Sequence, residues 1–169
     1  MISSFPPIED ENSKILILGS MPGEASLKAH QYYAHERNAF WPIMGKLLGF
    51  DHKSDYSFRI MKLKCAGIAL WDVIHTCKRF GSLDSKIVHG SILTHDFEDF
   101  FKKHPKIQNV FFNGSTAENT FKKIVLQKSN LPKLNYFRLP STSPACASLS
   151  FNAKLAQWKK IIEILHSLP

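Results

Sequence analysis

Two segments of the chain are rich in small and hydroxyl-bearing residues of the kind that bind anions. Residues 19–23 read Gly-Ser-Met-Pro-Gly, and residues 140–145 read Pro-Ser-Thr-Ser-Pro-Ala. Glycine lets backbone N–H groups approach a phosphate closely, and serine and threonine add hydroxyl donors. Either segment by itself is also an ordinary turn, and neither is a P-loop, which requires Gly-Lys-Ser/Thr after its glycines. Together they fit a phosphate-bearing ligand.

Two asparagines stand at the start of predicted helices. Asn113 can present an amide donor and acceptor to a flat heterocycle, or it can cap the helix that follows, and the spacing favours neither role. Asn38 directly precedes an Ala-Phe-Trp-Pro run at residues 39–42. That is the position of a helix N-cap, so spacing alone favours capping for Asn38.

Aromatic residues cluster shortly after the first of these segments, at Tyr32, Tyr33, Phe40 and Trp41. They either stack on a base or fill the space between a loop and the sheet, and core packing is the commoner outcome. Asp72 follows another apolar run. Its carboxylate either binds a substrate hydrogen or a water, or it satisfies nearby backbone donors.

The cysteines and histidines indicate neither covalent nor metal chemistry. Cys65, Cys77 and Cys146 form no close pair such as Cys-x-x-Cys, which favours reduced intracellular thiols over a disulfide framework or a zinc site. Cys146 has no helper base nearby in sequence, and His75 has no fixed partner. We therefore expect no metal and no cofactor.

Four short apolar runs predict buried strands, at residues 14–18, 67–71, 109–112 and 136–139. Helical patterns lie between them, including a stripe at residues 40–48 that Gly49 can end, a Ser-x-x-Glu capping box at residues 115–118 and a C-terminal stripe at residues 155–165. This alternation predicts an α/β fold, a three-layer α/β/α sandwich with a central four-stranded parallel sheet. Ligands bind such sheets at the carboxyl ends of the strands, where the candidate residues collect.

Length and charge narrow the class of protein further. The 169 residues fit one domain, residues 1–169. A net charge of +8, from 22 Lys and Arg against 14 Asp and Glu, favours polyanionic partners, with nucleic acid as one option. The sequence contains neither a signal-peptide pattern nor an apolar stretch of about 20 residues, so we expect a cytoplasmic protein without membrane contact.

The chain resembles the uracil-DNA glycosylase superfamily, and most closely its hypoxanthine-DNA glycosylase branch. The resemblance extends in order along nearly the whole chain. The matching segments are residues 17–23, 32–33 with 38–42, 67–73, 81–84, 111–114 and 139–145. The His35-x-x-Asn38-x-Phe40-Trp41 stretch also resembles the mismatch-specific uracil and thymine glycosylases.

The resemblance implies a monofunctional DNA glycosylase of base excision repair that hydrolyses the N-glycosidic bond of hypoxanthine, and of uracil as a second base. It implies Asn38 as the catalytic residue. Its substrate-binding residues would be Gly19, Ser20, Met21, Pro22, Gly23, Tyr33, Phe40, Asp72 and Asn113. Its DNA-binding residues would be Ser141, Thr142, Ser143, Pro144, Ala145 and Cys146. The partner would be double-stranded DNA, with single-stranded DNA as a further option, bound by a monomer.

Two departures from the superfamily pattern leave alternatives open. Met21 stands where relatives carry an aspartate or asparagine, and Ser141 stands where many carry a histidine. Water activation and leaving-group stabilisation must then come from other residues. One alternative is a uracil- or mismatch-specific glycosylase, and another is a nucleic-acid-binding α/β module without catalysis.

Overall fold

Seven strands form two sheets in the computed structural model, which describes residues 1–169. The larger sheet has the order β3-β2-β6-β7 with every pair parallel, and the smaller, antiparallel sheet has the order β1-β4-β5. The strands are β1 Ile2–Ser3, β2 Ile15–Gly19, β3 Ile68–Asp72, β4 Ile74–Cys77, β5 Leu93–Thr94, β6 Asn109–Asn113 and β7 Asn135–Leu139. The predicted four-stranded parallel sheet is confirmed.

Helices cover both faces of the parallel sheet. They are α1 Glu24–Ala29, α2 Phe40–Leu48, α3 Tyr56–Cys65, α4 Phe97–Lys103, α5 Ser115–Thr120, α6 Leu126–Lys128, α7 Phe151–Trp158 and α8 Lys160–Ser167. A π-helical turn, Phe121–Val125, joins α5 to α6, and 3₁₀ turns lie at Asp84–Lys86 and His89–Ser91. None of the helices is both long and apolar enough to cross a membrane.

Two apolar cores separate the three layers. Along β2, Ile15 and Ile17 face the core formed with α2, α7 and α8, whereas Leu16 and Leu18 face the core formed with α4 and α5. All five β2 residues are buried, as expected for a parallel strand covered on both faces. The central strand is therefore a rigid base for the loop that follows it.

Three details of the helices differ from the sequence expectations. The capping box at residues 115–118 does not form. The N-cap of α5 is Gly114 instead of Ser115, and glycine has no side chain that could accept a hydrogen bond from the helix. Gly114 has φ 93, and a Cβ there would lie 3.1 Å from Ser141 Cβ, so the tight turn requires glycine. The C-terminal stripe forms two helices, which meet at Lys159. Helix α1 was not predicted.

Candidate active site

A cavity of about 900 Å³ opens at the carboxyl ends of the parallel strands. Because all four strands run the same way, the loops that follow them meet at this edge. The cavity brings together every candidate site residue except Phe40, namely Gly19, Ser20, Met21, Pro22, Gly23, Tyr33, Asn38, Asp72, Asn113, Ser141, Thr142, Ser143, Pro144, Ala145 and Cys146.

The Asn38 side chain combines local capping with free hydrogen-bonding capacity. Its Oδ1 accepts a hydrogen bond from Phe40 N at 2.9 Å, which is an Asx turn at the start of α2. The backbone N-cap is Ala39, one residue later than expected. Asn38 Nδ2 makes no hydrogen bond within the protein, and Oδ1 keeps a second lone pair. The amide can therefore bind a water or ligand while it holds the helix start.

Asn113 is the centre of a hydrogen-bond network in the lining of the same cavity. Its Nδ2 donates to Tyr33 Oη at 3.1 Å and to Thr142 Oγ1 at 2.9 Å. Its Oδ1 accepts from Thr142 N at 2.9 Å. Both amide hydrogens are thus engaged, and one acceptor position on Oδ1 remains. Asn113 does not cap α5, and it orients neighbouring groups around the cavity.

Thr142 connects the second loop to the rest of the site. Its side chain is 1% exposed, its hydroxyl and N–H pair with Asn113, and its carbonyl accepts from Ala39 N at 3.0 Å. These contacts fix the loop to the start of α2. Thr142 has almost no exposed surface in this structure, and its contact with a DNA phosphate stays a prediction.

The aromatic cluster divides into a buried ring and a ring at the cavity. Phe40 has no exposed surface, and its ring stacks on Tyr33 with centroids 4.2 Å apart. Phe40 is outside the cavity lining, and its contact with a base stays a prediction. Tyr33 lines the cavity and has φ 54, a backbone conformation that non-glycine residues rarely adopt outside functional sites and turns. Phe40 therefore supports Tyr33 from within the core.

Asp72 places a buried carboxyl group at the end of β3. It is 3% exposed, and its Oδ2 has no hydrogen-bond partner. Burial raises the pKa of this carboxyl to about 7, with a further upward contribution from the charge of Asp84 and a downward one from Arg79. Near neutral pH the group is able to act as a hydrogen-bond donor as well as an acceptor.

Comparison with known proteins gives a consistent result. The family description "Uracil DNA glycosylase superfamily" matches residues 6–166. The chain belongs to this superfamily. Two relatives from Methanosarcina barkeri and Methanosarcina acetivorans are each named "Hypoxanthine DNA glycosylase" and are 44% and 40% identical over 114 and 115 residues. Each alignment covers 67% of this chain and 71% of the relative.

A solved structure extends the likeness to nearly the full length of the chain. It is a solution NMR structure, described as that of a candidate uracil DNA glycosylase from Methanosarcina acetivorans, with 33% identity and a TM-score of 0.79. The match covers 97% of this chain and 98% of that chain. The α/β/α arrangement is therefore the superfamily's fold.

Asp84 belongs to the matching segment 81–84 and lines the cavity, although it was not among the predicted site residues. Ser20 Oγ donates to its two carboxylate oxygens at 2.9 Å and 2.8 Å. Burial raises the pKa of Asp84, while hydrogen bonds from Ser20 and Thr116 and the charge of Arg79 oppose the shift. Ser20 and Asp84 are 64 residues apart, so no local pattern in the sequence indicates their contact.

The loop at residues 141–146 keeps two hydroxyl donors at the rim of this superfamily member's cavity. Ser141 Oγ accepts from Ser143 N at 3.2 Å, and Ser143 Oγ accepts from Ala145 N at 3.2 Å. Neither hydroxyl donates within the protein, so both hydrogens are available to a phosphate oxygen. Ala145 is exposed and Cys146 half-buried at the same rim.

Gly19 packs directly against two of the cavity side chains, which leads to a test of their positions. A Cβ there would lie 2.4 Å from Asp72 Oδ1 and 2.8 Å from Tyr33 Oη. Gly19→Ala must displace both groups, and we expect about 10-fold to 100-fold lower activity, since small misplacements of reacting groups have effects of this size.

The matched control for this change is Gly90→Ala, because a Cβ at Gly90 meets no atom within 4 Å. Activity of the two variants is compared at equal folded concentration, verified by circular dichroism. Full activity in Gly19→Ala would show that the positions of Asp72 and Tyr33 do not matter to the reaction.

Proposed function

We propose that this protein is a monofunctional DNA glycosylase that excises hypoxanthine from DNA, with uracil as a second substrate. The observation that carries the proposal is the cavity wall on which the free amide of Asn38 lies with Tyr33, Asp72 and Asn113. The names of the two Methanosarcina relatives support the choice of hypoxanthine.

The reaction requires a positioned water and a stabilised leaving base. Cleavage of an N-glycosidic bond develops positive charge on the sugar and negative charge on the departing base. Asn38 Oδ1 keeps a lone pair that can orient a water toward the sugar. An amide cannot take the water's proton as a carboxylate can, so most of the rate enhancement has to come from stabilisation of the leaving base.

The groups around the cavity fit a deaminated base. Hypoxanthine and uracil carry a ring N–H beside a carbonyl, where adenine and cytosine carry only an acceptor nitrogen. The free acceptor position on Asn113 Oδ1 suits that N–H. A neutral Asp72 carboxyl can donate to the base as its negative charge develops, and Tyr33 provides the stacking surface.

Access to the bond requires that the nucleotide leave the duplex. Extrusion costs a few kcal/mol and is easiest for mispaired bases, which deaminated bases become. The net charge of +8 supplies salt-dependent attraction to the duplex. Exposed Arg37 and the free hydroxyls of Ser141 and Ser143 line the cavity mouth, where they can bind phosphates flanking the lesion.

The proposal is tested on matched duplexes that contain deoxyinosine, deoxyuridine or only normal bases, with alkali to cleave abasic sites. We expect faster release of hypoxanthine than of uracil and none of normal bases. Faster release of uracil would favour a uracil-specific enzyme. Duplex binding without any release would favour a nucleic-acid-binding module.

A further inference from the structure

One aromatic side chain beside the cavity is left almost wholly in water. Phe80 is 83% exposed, more than any other large hydrophobic residue in the structure. It is absent from the cavity lining and packs in none of the three apolar clusters. Exposing a whole phenyl ring is unfavourable in a free protein, because its burial would be worth roughly 1.5–3 kcal/mol.

The loop that carries Phe80 is held in a defined shape. A β-bridge pairs Arg79 with Ile87, and Val88 N donates to Lys78 O at 2.9 Å, which closes the base of the loop. Arg79 Nε donates to Gly81 O at 2.7 Å, directly across Phe80. The Phe80 ring therefore lies at the tip of a loop whose shape is fixed by hydrogen bonds.

Hydrogen bonds join the same loop to residues of the cavity lining at three points. Arg79 Nη2 donates to Pro22 O at 2.5 Å, and Glu24 N donates to Ser82 Oγ at 2.9 Å. The third point is the bifurcated hydrogen bond from the Ser20 hydroxyl to the Asp84 carboxylate. Leu83, three residues beyond Phe80, is 48% exposed and lines the cavity. Phe80 is thus held at the outer rim of the site.

We propose that Phe80 is a DNA contact that stacks on a base next to the extruded nucleotide. This inference rests on the proposed function. Extrusion leaves a gap in the base stack, and Ala145 and Cys146 in the cavity lining are too small to fill it with an aromatic surface. Exposed Lys78 and Lys86 on the same loop complement the phosphates of the duplex.

Binding to a duplex with a central abasic-site analogue and an adjacent 2-aminopurine tests the proposal. The variants are Phe80→Ala and Phe80→Trp. We expect Phe80→Ala to raise Kd about 5-fold to 150-fold, the range for one base–aromatic stack, and Phe80→Trp to stay near wild type. The 2-aminopurine fluorescence should change on binding of wild type and Phe80→Trp, and much less with Phe80→Ala.

Phe58→Ala is the matched control, because Phe58 is 40% exposed on α3 and lies outside the cavity lining. Equal Kd and equal fluorescence change for wild type and Phe80→Ala would overturn the proposal, as would an equal loss in Phe58→Ala. Excision by the wild type is assayed separately. If the wild type releases no base but Phe80→Ala still binds the abasic duplex more weakly than wild type, the proposed glycosylase activity is contradicted and the Phe80 contact is supported.

Discussion

Asn38→Ala lowers the excision rate on a deoxyinosine duplex by about 100-fold to 1,000-fold, the usual effect of removing one preorganised group that acts in the transition state. The substitution removes the only cavity amide whose donor groups are free, since Asn113 uses both of its hydrogens within the protein. Affinity for the same duplex should remain close to that of wild type, because the substitution leaves the proposed phosphate contacts unchanged. Single-turnover kinetics and fluorescence anisotropy measure the two quantities.

The structural role of Asn38 is separated from its chemical role by Asn38→Ser. Serine can also accept a hydrogen bond from the backbone at the helix start, but it is too short to place a water where the asparagine amide does. Alanine loses the hydrogen bond from Phe40 N at a cost of about 1 kcal/mol. We expect Asn38→Ser to denature near the wild-type temperature and still lose excision. A stable, fully active Asn38→Ser variant would limit Asn38 to its hydrogen bond at the start of α2.

Excision should fall as the pH rises through about 7, because the buried Asp72 carboxyl has a pKa of about 7 and donates only when protonated. The ionised form would repel a base that is gaining negative charge. Asp72→Asn keeps a donor but does not titrate, so we expect lower activity with a flat profile across this range. A wild-type rate that rises through pH 7 would assign Asp72 to water activation as a base.

The pH dependence of folding stability provides an independent measure of the raised Asp72 pKa. The pKa of Asp72 in the folded state lies above the ordinary value of 3.8, so protonation of this carboxyl stabilises the folded state. This contribution to the free energy of unfolding is complete below pH 3.8 and is lost as the pH rises through about 7. Relative to wild type, Asp72→Asn should therefore be more stable at pH 8 than at pH 5, by about 3 kcal/mol at most. Urea denaturation at the two pH values measures this difference.

The sequence by itself determined the framework of the protein. Buried parallel strands are continuous apolar runs, so β2, β3, β6 and β7 appear within one residue of their predicted positions. Gly49 ends α2 at φ 75 as its position indicates. Parallel pairing brings the four following loops to one edge, and the cavity is lined there as predicted.

Only the tertiary structure decided what each side chain does. Phe40 and Tyr33 are both aromatic, yet only Tyr33 reaches the cavity. Thr142 lies in a loop typical of phosphate contacts, but Asn113, 29 residues away, uses its polar groups. The contact of Ser20 with Asp84 and the exposure of Phe80 likewise depend on loops that are distant in sequence. Residue periodicity encodes which face of a strand or helix is apolar, whereas contacts between loops depend on where the folded sheet places them.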